Sequence, residues 1–384
     1  MKRFLSVILS AVLLLTAFTP CVYAKNDSAS LKFDENGKFK IMLIADTHYT
    51  DQVYDECTEF FNLVLDDEKP DLVVFMGDNV KGYWVGSTPM SVKSAISQLV
   101  EPVAERNIPY TAIYGNHDYQ TLVAKSLQTK YFNMYDSCIM ENGYTYLHRK
   151  ANCSYLIKDS KGEKDIYNLI TLDSGTKDAE EKLMPVLTQQ IDWYKETVSS
   201  LKEKNGGEVI PSIVFQHIPI YEVEKLFEKS DETNENAVKC SAIANPGYYV
   251  LKDGVDGELR GSPKVPYTNT GEYDAFAQMG DVKGVFFAHD HKNTYCGTTD
   301  DGIMLGAVPT SSFQSSGDND LRGVRIIELD ENDLNKIETR CVFYEDYKDE
   351  DVSWKGGNYP EQKKDYDTSL RFSMIWEYFL YLFK

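Results

Sequence analysis

Five short polar clusters follow apolar stretches of the chain, and they hold the residue types that could bind metals. The clusters are Asp46-Thr47-His48, Gly77-Asp78-Asn79, Gly115-Asn116-His117-Asp118, Gln216-His217 and His289-Asp290-His291. Five of the six histidines of the chain lie in these clusters. Imidazole nitrogens, carboxylate oxygens and amide oxygens suit borderline divalent or trivalent metals. The clusters therefore indicate a metal site.

Each cluster taken alone has a plainer explanation. A single histidine after a strand is usually a satisfied polar residue, and Asp followed by Asn is usually a turn or a helix cap. Capping does not explain why five of six histidines follow apolar runs. The sixth, His148, lies outside the clusters, and we interpret it as structural.

The apolar runs before the first three clusters predict strands. They span Lys38 to Asp46, Asp71 to Met76 and Tyr110 to Tyr114, and helical spacing of apolar residues lies between them, at 53–65 and 91–106. This alternation predicts parallel strand pairs with helices packed on the sheet. Because parallel strands share one carboxyl edge, the clusters should face one cleft.

The second half of the chain continues this pattern. Further strands are predicted at residues 154–158, 166–172, 209–215, 282–287, 303–308 and 324–329. A helical stripe runs from Leu187 to Leu201. Residues 228–270 are polar, contain Gly and Pro, and are interpreted as an irregular excursion.

The ordered series D-x-H, G-D-N, G-N-H-D, isolated His and H-x-H resembles the calcineurin-like metallophosphoesterase family, over roughly residues 38 to 295. The resemblance implies an α/β (α+β) fold, a four-layer αββα sandwich of two mixed sheets flanked by helices. It also implies a site for two metal ions. The first would be held by Asp46, His48 and His291, the second by Asn116, His217 and His289, and Asp78 would bridge both. His117 matches the family's catalytic histidine that is not a ligand.

Within the family, residues 284–297 look most like a subgroup related to the purple acid phosphatases. Ala288 replaces the usual Gly before H-x-H, a change between small residues. The purple enzymes carry a tyrosine ligand three residues after the bridging Asp, where this chain has Lys81, and they lack the histidine of D-x-H, present here as His48. We therefore expect no tyrosinate–iron colour.

The chemistry implied by the resemblance is phosphoester hydrolysis by a hydroxide that bridges two metals. Phosphomonoesterase activity is the favoured interpretation. The alternatives are a phosphodiesterase of the same fold and a catalytically inactive surface protein that keeps the fold for binding. The metals are divalent or trivalent ions, with iron, manganese and zinc all open. The partner is a phosphate-ester substrate whose identity the sequence does not encode.

The formal net charge of the 384-residue chain is -20, which argues against nucleic acid as a partner. Bound cations would make a pocket locally positive inside this acidic chain. The chain is therefore expected to bind its anionic substrate through metals.

The ends of the chain suggest export. Residues 1–24 resemble a signal peptide, with Lys2 and Arg3, an apolar run and Ala24 at the cleavage position; an uncleaved anchor is the alternative. Residues 25–37 are expected to form a linker, 38–345 the phosphoesterase domain and 346–384 a tail. The protein would then be extracellular, periplasmic or on the cell surface.

The last fifteen residues, 370–384, are rich in aromatic side chains. They are interpreted either as a helix that packs on the domain or as one that makes a peripheral membrane contact. Six cysteines remain after removal of the signal peptide. Cys138 and Cys153 flank a potential hairpin and are a candidate disulfide in an oxidising compartment.

Overall fold

A computed structural model of the chain describes residues 30–84, 86–140 and 149–347. The expected signal peptide, His148, residues 348–384 and the aromatic C-terminal segment lie outside this described part. Among the helices that it covers, none is both long enough and apolar enough to cross a membrane.

The first sheet has five strands in the order β14-β13-β1-β2-β3. The strands are β1 (Lys38–Ile44), β2 (Leu72–Phe75), β3 (Tyr110–Ala112), β13 (Gly323–Asp330) and β14 (Ile337–Phe343). The pairs β1–β2 and β2–β3 are parallel, whereas β13 pairs antiparallel with β1 and with β14. The sheet is therefore mixed, and its parallel part carries the first three polar clusters.

The second sheet has six strands in the order β11-β12-β10-β6-β5-β4. The strands are β4 (Cys153–Lys158), β5 (Asp165–Thr171), β6 (Ser212–Phe215), β10 (Val282–Phe287), β11 (Cys296–Thr298) and β12 (Met304–Ala307). The inner pairs β5–β6, β6–β10 and β10–β12 are parallel, and the edge strands β4 and β11 run antiparallel. Both remaining clusters follow parallel strands of this sheet.

Helices cover the outer faces of both sheets. They are α1 (Asp55–Glu68), α2 (Pro89–Ala104), α4 (Lys125–Phe132), α5 (Thr188–Lys204) and α6 (Glu272–Met279), while the short helix α3 (Asn116–Tyr119) follows β3 at the end of the sheet. Buried side chains of α1, α2 and α4 share a core with the first sheet, and those of α5 and α6 share one with the second. A third core, which includes Ile41, Val74, Ile213 and Phe286, lies between the two sheets. The predicted four-layer αββα sandwich is confirmed.

The excursion after β6 is more regular than predicted. It contains a small antiparallel sheet in the order β7-β9-β8, formed by β7 (Phe227–Ser230), β8 (Val238–Cys240) and β9 (Gly247–Leu251). Its strands are short, and β7 and β8 are joined by a polar turn. Such short strands do not produce the long apolar runs from which strands are predicted.

The packed core also begins earlier than predicted. Leu31 and Phe33, which lie in the expected linker, are buried in the core between the sheets. The backbone N–H of Phe33 donates a hydrogen bond to the carbonyl oxygen of Lys158 in β4. Two apolar side chains therefore anchor to the core a stretch that is otherwise polar and was expected to be a linker.

The six cysteines at 57, 138, 153, 240, 296 and 341 carry thiols in the structure, and none is in a disulfide. Cys138 and Cys153 are both buried in the core. The structure thus contradicts the predicted Cys138–Cys153 disulfide, whose supposed hairpin lies mostly within the segment 141–148 that the structure does not describe.

Candidate metal centre

The five polar clusters meet where the parallel strands of both sheets end. In the first sheet, Ile44 of β1 pairs with Phe75 of β2, which pairs with Ala112 of β3, so the three strands end level. In the second sheet, Phe215 of β6 pairs with Phe286 of β10. The loops that follow these strands therefore project into one cleft, as predicted from strand polarity.

The backbone of these loops is unusual. Ten described non-glycine residues have a positive φ, and five of them belong to the predicted site. Those five are Asp46, His48, Asp78, His289 and His291. A left-handed backbone is costly for residues other than glycine and persists where the surroundings impose it. Because these five residues lie at one cleft, the left-handed backbone turns their side chains out of the strand direction and toward each other.

Asp78 lies at the middle of the cluster. Its Oδ2 is 3.2 Å from Nε2 of His217 in the second sheet and 3.7 Å from Nε2 of His48 in the first. The side chain is almost fully buried. One carboxylate oxygen thus faces imidazoles from both sheets, which is the position that a bridging ligand requires.

The side chains that could hold a metal ion form two groups that share Asp78. The first group is Asp46, His48, Asp78 and His291, and the second is Asp78, His217 and His289. Within each group the ligand atoms lie within 4.8 Å of one another. Nε2 of His291 is 3.3 Å from Oδ1 of Asp46 and 3.3 Å from Nε2 of His48. The resemblance assigns the same residues to each metal and adds Asn116 to the second group.

Two glycines allow this approach. A Cβ on Gly115 would lie 2.3 Å from Oδ1 of Asp78 and 2.7 Å from Nε2 of His217. Gly77 has a φ of +94°, and a Cβ there would lie 2.6 Å from the backbone nitrogen of Gly115. Any side chain at either position would displace the shared carboxylate or its histidine neighbour. This explains why both motifs begin with glycine.

The residues present fit bound metal ions. Several buried polar atoms in the cleft have no hydrogen-bond partner among the described residues: Asp46 Oδ1, Asp78 Oδ2, Asn116 Oδ1, His217 Nε2, and both ring nitrogens of His289. Buried polar atoms are rarely left without partners, and such a concentration needs an explanation. All of these atoms can act as ligands of a cation, so coordinated metals would satisfy them.

The other ring nitrogens of two histidines are held by backbone oxygens. Nδ1 of His217 lies 3.0 Å from the carbonyl oxygen of Met76, and Nδ1 of His291 lies 2.6 Å from that of Ser316. When Nδ1 donates to a carbonyl, Nε2 keeps its lone pair for a metal. The carbonyls thus fix both rings in the orientation that ligation needs.

Electrostatics divides the histidines into two kinds. Burial lowers the pKa of His48 and of His289 to about 3, and neighbouring histidines add to the effect. Burial also disfavours the charged form of His217, but the Asp78 carboxylate outweighs it and raises the pKa of His217 to about 9. Burial opposes ionisation of Asp78 in turn, yet His217 holds the pKa of Asp78 well below its usual range.

His117 occupies a different environment from the ligand group. Its side chain is 34% exposed, whereas that of His217 is fully buried. Its ring centroid lies 4.7 Å from that of His48, and its Nε2 lies 3.9 Å from Oδ2 of Asp78. His117 therefore stands at the accessible side of the centre, where it can reach a molecule bound there.

Asp118 has a role that the sequence left open. Its buried carboxylate accepts hydrogen bonds from the backbone of Gly115, Asn79 and Val80 and from the side chain of Asn79. It does not contact the ring of His117. Asp118 instead ties the loop after β2 to the loop after β3. The sequence feature that could have indicated this role is the position of Asp118 directly after Asn116-His117, where it caps the short helix α3.

A cavity of 580 Å³ opens beside the centre, and Asn116, His117 and His289 line it. Two further segments, residues 177–183 and 242–267, supply much of the rest of its wall. A cavity of this size accommodates a small organic ligand. The metal centre is thus open on the His117 side and closed by the two sheets elsewhere.

The fold and the candidate metal centre together indicate the class of protein, and the comparison with known sequences indicates the same class. Residues 39–293 match the sequence profile of the calcineurin-like phosphoesterases. The chain belongs to this family, whose members act on phosphate esters, and its cleft holds a potential dinuclear metal site.

Individual relatives narrow the subgroup. The chain is 28% identical over 366 residues to probable inactive purple acid phosphatase 14 of Arabidopsis thaliana, covering 85% of this chain and 84% of the plant protein. It is 26% identical to the phosphatase DCR2 of Saccharomyces cerevisiae, covering 79% of this chain and 54% of that protein. The predicted relation to the purple acid phosphatases is confirmed.

Among solved structures, the fold is similar to a Plasmodium protein described as GAP50, the anchor in the inner membrane complex. That similarity has a TM-score of 0.47 and 15% identity, and it covers 88% of this chain and 94% of the other. It is too weak to bear on function.

Proposed function

We propose that this protein is an active phosphomonoesterase that depends on two metal ions. The observation that supports the proposal best is the set of unpartnered donor atoms around Asp78, with His117 on the open side. Asp46, His48, Asp78 and His291 would hold one ion. Asp78, Asn116, His217 and His289 would hold the other.

Bound divalent or trivalent ions would supply Lewis acidity and lower the pKa of a water molecule toward neutrality. The protein's own residues supply position and a proton. The buried loops after β1, β2, β6 and β10 hold the ligands in place, and the sandwich excludes water from behind them. As water attacks phosphorus, the bond to the leaving oxygen breaks, and Nε2 of His117 gives that oxygen a proton.

The central experiment compares metals and substrates on one preparation. Protein stripped with a chelator is reloaded with iron, manganese or zinc and assayed on p-nitrophenyl phosphate and bis-p-nitrophenyl phosphate. We expect about two bound ions per chain and faster hydrolysis of the monoester. The variant Asp78→Asn, purified in parallel, excludes a contaminating phosphatase because it should be inactive.

Two other functions remain as outcomes of that experiment. Faster cleavage of the diester would favour a phosphodiesterase. Metal binding without hydrolysis would favour a protein that uses the fold for binding, a possibility raised by the name of the Arabidopsis relative, probable inactive purple acid phosphatase 14. The complete ligand set and the accessible His117 support activity instead.

We also propose that the protein is exported and that cleavage after Ala24 leaves Lys25 as the first residue. The proposal depends on the charged start, the apolar run and the small residue at the cleavage position. N-terminal sequencing of protein from the culture medium, periplasm or cell surface tests it. A mature protein that retains Met1 would contradict it.

A further inference from the structure

Hydrogen bonds stabilise the outer wall of the cavity beside the candidate metal centre. Its two segments are joined by a backbone hydrogen bond of 2.9 Å from Tyr267 N–H to the carbonyl of Leu183, and within the second segment Val265 N–H donates to the carbonyl of Ala242 at 3.0 Å. The hydroxyl of Thr270 also donates to the carbonyl of Val186 at 2.8 Å. These contacts fix the side chains that face the cavity.

This wall carries more positive than negative charge, whereas the whole chain is acidic. Lys177, Lys182 and Lys264 line the cavity, and Glu181 is the one acidic residue among the lining residues. The whole chain carries a net charge of -20. A local excess of positive charge in such an acidic protein attracts anions to this place rather than to the surface in general.

Lys264 is the lysine best placed to bind a ligand. Lys177 pairs with Glu181 at 3.2 Å and Lys182 with Glu180 at 2.7 Å, whereas the ammonium of Lys264 has no ion pair within the described ranges. The backbone N–H of Lys264 donates to the carboxylate of Asp290, between the two histidines of H-x-H. Lys264 is therefore anchored at the border between the metal centre and the cavity.

The remaining wall is aromatic and apolar. Tyr221 and Tyr267 line the cavity together with Ile243 and Val265. Tyr267 is 53% exposed although it is large and follows the buried Pro266. A half-exposed tyrosine at the mouth of a cavity offers a flat surface on which a planar or apolar group can pack.

We propose that the substrate is a small phosphate monoester whose leaving group carries a second anionic group on a planar or apolar part. Its phosphate would lie at the metal centre, its apolar part between Tyr221 and Tyr267, and its second anion near Lys264. This inference rests on the proposed phosphomonoesterase function and adds the class of leaving group.

The test uses two esters that differ by one carboxylate, phenyl phosphate and 4-carboxyphenyl phosphate. We expect a KM roughly fivefold lower for the carboxylated ester, the size of effect that one accessible ion pair gives. Lys264→Met should abolish the difference. Lys229→Met, which removes an exposed lysine of β7 outside the cavity, should preserve it. Equal KM values in the wild type, or an unchanged preference in Lys264→Met, would overturn the inference.

Binding separates this inference from the proposed function. Phenylphosphonate and 4-carboxyphenylphosphonate are titrated into the metal-loaded protein by calorimetry. Hydrolysis of both esters without a preference would overturn the inference and leave the phosphomonoesterase intact. Tighter binding of the carboxylated phosphonate without hydrolysis of either ester would do the reverse. Binding of neither phosphonate would overturn the inference as well.

A second and independent observation concerns the ring of His117. Nδ1 of His117 and Oε1 of Gln120 are both buried and have no hydrogen-bond partner among the described residues. Both atoms lie within 2.4 Å of the point that a Cβ on Gly82 would occupy. They therefore approach each other across the backbone of Gly82, in space that only a glycine leaves open.

We infer that Gln120 is a positioning residue for His117. A small rotation of its amide lets Oε1 accept a hydrogen bond from Nδ1–H of His117. In the ring that carries protons on both nitrogens, this bond holds the Nδ1 proton, so the proton on Nε2, which faces the substrate side, is the one transferred to the leaving oxygen. The backbone holds Gln120 in reach, because its N–H donates to the carbonyl of His117 at 3.0 Å.

Two variants and two leaving groups test this role. Gln120→Met should lower kcat on phenyl phosphate about tenfold and on p-nitrophenyl phosphate by less, since a good leaving group needs little protonation. KM and metal content should not change. Gln120→Glu, which keeps an acceptor oxygen, should restore kcat. An equal loss on both esters, no loss at all, or failure of Gln120→Glu to restore activity would refute the role.

Discussion

Oδ1 of Asp78 accepts a hydrogen bond of 2.6 Å from the backbone N–H of His117. The other oxygen of the same carboxylate faces His217 and His48. One side chain thus connects both candidate ligand groups to the loop that carries the candidate proton donor. Loss of this carboxylate and loss of the His117 ring should therefore have different consequences.

Replacement of Asp78 with Asn should remove metal from both groups, because its carboxylate is the one member that they share. Metal analysis should find about two ions in the wild type and fewer than about one in Asp78→Asn. Asp46→Asn, which alters only the first group, should retain about one. Two ions in Asp78→Asn would contradict the shared role, and Asp231→Asn, on an exposed turn, is the control.

Replacement of His117 with Ala should lower turnover by about 10²–10⁴-fold, the usual contribution of a general acid. Metal content should stay at the wild-type level, because His117 belongs to neither ligand group. Steady-state kinetics and metal analysis on the same sample provide both measurements. If His117→Ala loses metal as severely as Asp78→Asn, His117 is a ligand. Full activity on good and poor leaving groups alike would show that it is not catalytic.

Metal binding should release protons at neutral pH. The pKa of His217 is raised to about 9, so at pH 7 its imidazole is charged in the metal-free protein and must lose a proton to become a ligand. His291 also has a raised pKa, whereas His48 and His289, with pKa values of about 3, are already neutral. Calorimetry in buffers of different ionisation enthalpy should detect about one to two protons released per chain at pH 7.

The same shift predicts how metal affinity varies with pH. Affinity should rise from pH 6 to about pH 9 and level off above the pKa of His217. An affinity that is constant over this range would show that His217 is neutral before metal binds.

The buried side chain of Glu272 predicts that the stability of the protein depends on pH. Burial, together with the charge of Glu222, raises its pKa from 4.5 to about 8. The unfolded chain therefore ionises Glu272 at lower pH than the folded protein does, so stability should fall as pH rises from 4.5 to 8. Glu272→Gln should raise Tm at pH 8 by roughly 3 °C or more and change it little at pH 4.5.

Thermal unfolding at both pH values measures this effect. Glu228→Gln, which neutralises an exposed glutamate of β7, is the matched control and should leave the pH dependence unchanged. A similar gain in Tm for Glu272→Gln at pH 4.5 would attribute the effect to packing rather than to charge.

Much of the fold followed from local patterns. The apolar runs before Asp46, Asp78 and Asn116 predicted β1, β2 and β3, because buried parallel strands are continuously apolar. The small sheet β7-β9-β8 was missed, since its strands are only three to five residues long. The early start of the core at Leu31 and Phe33 was missed because two buried residues give no periodic signal.

The sequence alone predicted which residues are candidate metal ligands, because residues placed directly after apolar parallel strands emerge at one edge of the sheet. Only the tertiary structure decided which of them meet. His48 and His291 are 243 positions apart and come together because two sheets pack face to face. The approach of Gln120 to His117 depends on the absence of a side chain at Gly82, and Lys264 reaches the cavity through the excursion between β9 and α6. Side-chain contacts of this kind depend on backbone direction and packing across the cleft, which no local pattern encodes.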